Sequence, residues 1–293
     1  SEEMLSINKI SDEYWETVSG KELKAGITVY LTSEQNLIRL APKTAIENDG
    51  SYQAASLDLD QISLIDSRSK KSYSVSQMAS QRDMQLAGFD DGSVAIQAKT
   101  SGQNATLRSH QDLADSDLYL IHVKEKNSPV TLAVKSGFKK PVNAESLPMA
   151  FNLNNGSNES LADFEANDVS IRLLSPVDES VGVSFANNAI HFDQELAQLG
   201  AINGFYEIEA TVMTKLGDKM VKRTTKVPFT NFKQTASIGA PQLEVLGNEV
   251  VAQLKVNADM PGRYSVKATL ALEENGKLTP VSTIEVAKEM RYD

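Results

Sequence analysis

Asp163, Glu165 and Asp168 place three carboxylates, hard oxygen donors, within a short stretch of chain. Such donors on a loop suit calcium. Their spacing departs from the helix-loop-helix calcium pattern and lacks its glycine, so solvated loop acids are the plainer alternative. Other acids come as pairs: Asp58 with Asp60, Asp90 with Asp91, Asp178 with Glu179. Glycosidic chemistry needs two carboxyls facing each other across a cleft, which proximity in sequence does not supply. His110, His122 and His191 have no metal-ligand spacing among them. His122 lies opposite Tyr119 and Ile121 in an alternating run, and His191 falls between Ile190 and Phe192, so both read as outward strand residues. No Gly-x-Ser-x-Gly elbow is present, the 16 glycines are scattered singly, and cysteine is absent. Those facts leave no nucleophile elbow, phosphate loop, thiolate site or disulfide to argue from, and no cofactor motif. Tyr14, Trp15, Phe89, Phe138, Phe164 and Phe232 stand outside the clean alternations. Trp15, the single tryptophan, is either a plug or a contact residue.

The elements that would carry these residues are strands. Gly204-Phe205-Tyr206-Glu207-Ile208-Glu209-Ala210-Thr211-Val212 and Gly262-Arg263-Tyr264-Ser265-Val266-Lys267-Ala268-Thr269-Leu270 are two copies of one phrase. In each, the residues from the tyrosine onward alternate apolar and polar, the period of a half-buried strand. A tyrosine opening such a strand after a glycine turn matches the tyrosine corner of immunoglobulin-like sandwiches, and Tyr206 and Tyr264 are assigned that role. A strand that merely starts after a turn is the simpler account. Asp117-Leu118-Tyr119 is a weaker third echo. The runs 118–123 and 130–134 flank Lys126-Asn127-Ser128-Pro129, which reads as a hairpin. Before Gly20, Met4, Ile7, Ile10, Tyr14 and Val18 fit either a helical stripe or an extended lead-in. Leu57 and Leu59 read as part of a short strand, and 76–86 as a helical turn or two.

These elements suggest three segments: an N-terminal β-sandwich-like domain over 1–140, an immunoglobulin-like domain over 141–234, and a short immunoglobulin-like module over 235–293. The last is too small to stand comfortably alone and is expected to pack on the middle domain. A net charge of −10 argues against nucleic acid as a partner. No apolar run is long enough for a transmembrane segment. Sandwich modules in series are mainly extracellular, which favours an exported, periplasmic or extracellular protein whose signal peptide has been removed.

The run from Tyr14-Trp15 through Val18-Ser19-Gly20-Lys21-Glu22-Leu23 to Gly26-Ile27, with Leu37-Ile38-Arg39-Leu40-Ala41-Pro42, resembles the start of an uncharacterised family of exported bacterial proteins. Tyr119-Leu120-Ile121-His122-Val123 and Pro261-Gly262-Arg263-Tyr264 are similar to later blocks of that family. The resemblance implies an N-terminal β-domain followed by immunoglobulin-like domains, in a domain family of unknown function. It carries no activity and no catalytic residues.

The expectation is therefore an all-β, elongated chain of tandem immunoglobulin-like sandwiches that binds a protein or glycan partner without catalysis. An enzyme or enzyme accessory with an unrecognised carboxylate site is the first alternative. A carbohydrate-binding module, which a row of exposed aromatics on one sheet face would mark, is the second.

Overall fold

The computed structural model describes residues 6–47, 50–137, 139–141, 145–155, 160–162, 168–174, 180–192, 206–232, 235–247, 249–274 and 277–291. The all-β expectation holds: strands dominate, with two six-residue α-helices among the described residues. The chain divides into two compact units, Ser1–Asn231 and Phe232–Asp293.

The first unit holds two hydrophobic cores. One lies between a five-stranded sheet and a three-stranded sheet. The larger sheet runs in the order Glu13–Ser19, Leu118–Lys126, Gln35–Pro42, Val94–Lys99, Val75–Ala79. The smaller runs Ile27–Val29, Ala105–Ser109, Ile62–Asp66. Alternation aims Tyr119, Ile121 and Val123 inward and leaves Leu120 and His122 on the other face. The ambiguous N-terminus is strand, Ser6–Ser11 then Glu13–Ser19, because Tyr14 and Val18 share strand parity and both enter the core. A helix begins only at Gly20–Ala25, where Ser19 and Glu22 form a reciprocal capping box. Leu57 reaches the core from a loop, and Leu59–Gln61 is a single 3-10 turn capped by Asp58, in place of the expected strand. Between 75 and 86 the chain is a strand, Val75–Ala79, followed by the helix Gln81–Leu86, which buries Met84 and leaves Met78 exposed.

The second core is enclosed by two sheets. One runs Ser6–Ser11, Val130–Gly137, Ser146–Asn155, Ala189–Phe192, Val183–Ala186. The other runs Lys139–Pro141, Lys219–Phe232, Tyr206–Leu216, Val169–Leu174, Ser180–Val181. Leu132, Leu147, Leu153, Leu173, Ile190, Ile208, Val227 and Phe229 are fully or almost fully buried between them.

The Lys126–Pro129 turn does not make a hairpin. Leu118–Lys126 pairs within the first sandwich, whereas Val130–Gly137 pairs with Ser6–Ser11 and Ser146–Asn155. The turn carries the chain from one core to the next, with Asn127 at φ 55°. At this crossing Arg223 occupies a core-facing position, where the alternation of Val221, Val227 and Phe229 calls for an apolar residue. Its guanidinium donates to Glu125 Oε2 at 3.0 Å, Thr32 Oγ1 at 2.8 Å, Ser128 Oγ at 3.0 Å and the Val130 and Lys222 carbonyls. Glu125 in turn accepts the backbone N–H groups of Thr32 and Ser33, each at 3.0 Å. Both charged side chains are 0% exposed. A buried ion pair is tolerable only when its remaining donors and acceptors are satisfied in this way.

Among its described residues the second unit forms three two-stranded ladders, Ala236–Ile238 with Val256–Ala258, Gln242–Leu246 with Glu249–Gln253, and the long Gly262–Glu274 with Lys277–Met290. An apolar trough of about 730 Å³ runs between them, lined in part by Val250, Val256, Val266, Ile284 and Val286.

Candidate functional site

Two outward sheet faces of the first unit meet across a cleft of about 600 Å³. One wall belongs to the first sandwich. With Tyr14 and Val18 committed to the core, Trp15 and Thr17 point out of Glu13–Ser19. Register then sets Trp15 beside His122 and His122 beside Arg39, one residue from each of three adjacent strands. Lys43 follows at the end of the last strand. The other wall comes from the second sandwich, where Lys226, Glu209 and Arg172 form an equivalent cross-strand row. The cleft is thus two three-residue rows facing one another, with Thr17, Ser170 and Thr211 beside them.

One hydrogen bond closes the floor: Trp15 Nε1 donates to Glu209 Oε2 at 2.8 Å. Glu209 Oε1 accepts from Arg172 Nη2 at 3.1 Å, and Lys226 Nζ is 3.1 Å from Glu207 and 5.8 Å from the indole centroid. Glu16, the other carboxylate of the cleft, pairs with Lys222 at 2.5 Å. His122 meets the indole edge-on, with centroids 6.0 Å apart, and its Nε2 lies 3.0 Å from Glu13 Oε2. The bond from His122, helped by the charge of Lys124, holds the Glu13 carboxyl below its ordinary value against the opposing effect of burial. Arg39 stacks over Phe89 at 4.9 Å and donates through Nη1 to Asp91 at 2.6 Å. Its Nε is buried and has no acceptor among the described residues.

The residues singled out in sequence are scattered. Asp163 and Glu165 lie outside the described residues, as do Asp178, Glu179, Phe138 and Phe164. Asp168 accepts from Thr214 Oγ1 at 3.3 Å. Among the described residues no three His, Asp or Glu side chains are grouped to hold a metal. His110 bonds to Ser63 Oγ at 3.0 Å, and His191 Nε2 is 3.2 Å from the Ala186 carbonyl. Tyr206 is buried and stacks on Phe229, with centroids 5.6 Å apart. The Tyr264 hydroxyl donates to the Met260 carbonyl at 2.7 Å, with the Thr235 carbonyl at 3.2 Å. Trp15 and His122 are brought together; their partners Arg39, Glu209, Arg172 and Lys226 were not foreseeable as a set. Each looks in sequence like an outward charge on a solvated strand, and only strand register joins them.

No curated protein matches the chain. Its fold is similar to the crystal structure of a DUF4785 family protein from Legionella pneumophila, with a TM-score of 0.63 and 18% identity, covering 97% of this chain and 78% of that one. Residues 2–125, which supply the Trp15–His122–Arg39 wall, match the family model described as the N-terminal domain of DUF4785, a domain of unknown function.

Proposed function

We propose that this chain is a non-enzymatic, exported binding protein whose recognition site is the cleft between the two sandwiches of the first unit. The observation that carries the reading is the pair of facing rows, Trp15–His122–Arg39 and Lys226–Glu209–Arg172. Outward strand faces ordinarily meet water. Here they converge on one cleft, with the sole tryptophan fixed at its floor. Both cleft carboxylates are tied to cations, unlike the desolvated, unpaired carboxyl that acid catalysis employs.

The strand order of the second sandwich supports an immunoglobulin-like module. Its strands are lettered in chain order, with Val130–Gly137 as A, Lys139–Pro141 as A′, Ser146–Asn155 as B, Val169–Leu174 as C, Ser180–Val181 as C′, Val183–Ala186 as D, Ala189–Phe192 as E, Tyr206–Leu216 as F and Lys219–Phe232 as G. One sheet then reads A′-G-F-C-C′ and the other A-B-E-D beyond Ser6–Ser11, with Tyr206 on strand F. The hydroxyl bond of Tyr264 to the carbonyl four residues upstream supports the same role for its strand. Modules of this kind in series are characteristic of proteins outside the cytoplasm, which supports export.

Trp15 is the only tryptophan, so tryptophan fluorescence has its single source at the cleft. Titration with fractionated envelope material should give a saturable change in that signal, lost when Arg39 and Arg172 are both replaced by Ala. Turnover of the bound material that depends on Glu16 or Glu209 would overturn the reading in favour of an enzyme.

A further inference from the structure

We infer that the cleft takes an acidic glycan, a saccharide chain bearing carboxylate, sulfate or phosphate groups; this inference rests on the cleft being the recognition site. Three features of the cleft lead to that class. First, most lining residues are polar or charged, with Trp15 and Leu120 as the only large apolar ones. Apolar ligands and peptide anchors call for mostly hydrophobic pockets. A sugar instead asks for one aromatic surface and polar partners for its hydroxyls, and Thr17 and Ser170 line the cleft with Trp15.

Second, planar groups run in a row across the sheet. The Trp15 indole meets the His122 imidazole edge-on, His122 neighbours Arg39, and the Arg39 guanidinium covers the Phe89 ring. Trp15 and Arg39 are two strand spacings apart, about 10 Å, the reach of a short oligosaccharide. Third, the lining holds four fixed cations against two carboxylates, in a chain of net charge −10. Lys43 is exposed and has no ion pair among the described residues. Arg39 and Lys43 share one strand face four residues apart, about 13 Å at ~3.3 Å per residue. That spacing suits anionic groups repeated along a chain.

The test is titration of the full chain, by Trp15 fluorescence and calorimetry, with oligosaccharides of four kinds: uronate, sulfated, phosphorylated and neutral. Poly-glutamate serves as the acidic peptide. At least one acidic oligosaccharide should bind saturably, about tenfold or more tighter than its neutral counterpart. Arg39→Ala should weaken that ligand about tenfold. Lys43→Gln, an exposed change that spares the fold, should weaken it about threefold and flatten its salt dependence. Which acidic arm responds identifies the charged group. Poly-glutamate binding as tightly as the best saccharide would overturn the inference, and so would failure of all three acidic arms. If envelope material still perturbs Trp15 when every saccharide fails, the cleft stands as a binding site and only the ligand class falls. If neither perturbs it, both readings fall.

Discussion

The two copies of the Gly-x-Tyr strand have opposite surroundings. In the first, Tyr206, Ile208, Ala210 and Val212 are 3%, 0%, 0% and 1% exposed, sealed by the sheet that contains Leu132, Leu147 and Ile190. In the second, Tyr264, Val266 and Ala268 are half-buried and Leu270 is 44% exposed. Across the ladder from them, Ile284 and Val286 are 63% and 59% exposed. Strand phrase and hairpin partner are alike; the opposing layer differs. A period of two therefore specifies which side chains share a face, and the number of further strands available decides how deeply that face is buried. The second unit has 62 residues arranged in separate two-stranded ladders, a size at which a closed core is hard to build.

The contrast can be broken most sharply at Arg223, which lies on the closed core and has no counterpart in the open copy. Arg223→Met leaves Glu125 buried without a counter-ion and should cost about 3–5 kcal/mol. The readout is a lowered denaturation midpoint followed by Trp15 fluorescence. Adding Glu125→Leu should restore most of the loss. A single substitution that costs under about 1 kcal/mol would mean that the pair is hydrated in solution.

Next in size is a matched pair of truncations. Ile208→Ala should cost about 2–5 kcal/mol, the usual range for a filled core site. Val266→Ala should cost under about 1 kcal/mol, because its side chain is only partly removed from water. Hydrogen exchange of the two strands, Tyr206–Leu216 and Gly262–Glu274, measures both. Equal losses would show that the Val266 face is covered in solution. The smallest effect belongs to Tyr264→Phe, about 0.5–1.5 kcal/mol for one hydrogen bond. It should speed exchange around Met260–Tyr264 and leave the Trp15 signal unchanged. A faster global unfolding would assign that tyrosine a larger role than anchoring its own turn.

Much of the fold was legible because alternation is a local property. Tyr119, Ile121 and Val123, or Tyr206 through Val212, announce their buried face without knowledge of any neighbour. The cleft was not legible, because Trp15 and His122 pair across more than a hundred residues of chain and Glu209 arrives later still. An outward charge on a strand has the same local spelling whether it meets water or another sheet. The turn at Lys126–Pro129 misled for a related reason. Asn, Ser and Pro mark a reversal of the chain, but not whether the next strand pairs with the last one. Arg223 hid among the basic residues of its strand, since a buried cation is visible only once Glu125 is known to face it.

The Arg223–Glu125 pair also has a consequence in time. Glu125 belongs to the last strand of the first sandwich, and its counter-ion is encoded nearly a hundred residues later. At a synthesis rate of ~5–20 residues per second, the first sandwich exists on the ribosome for about 5–20 seconds before Arg223 is made. During that interval the donors available to the carboxylate are those of its own sandwich, such as the Thr32 and Ser33 amides. The strand Ser6–Ser11 waits as well, because its partner Val130–Gly137 follows the same turn. The buried carboxylate of the first sandwich thus obtains its counter-ion only once a strand of the second has been made.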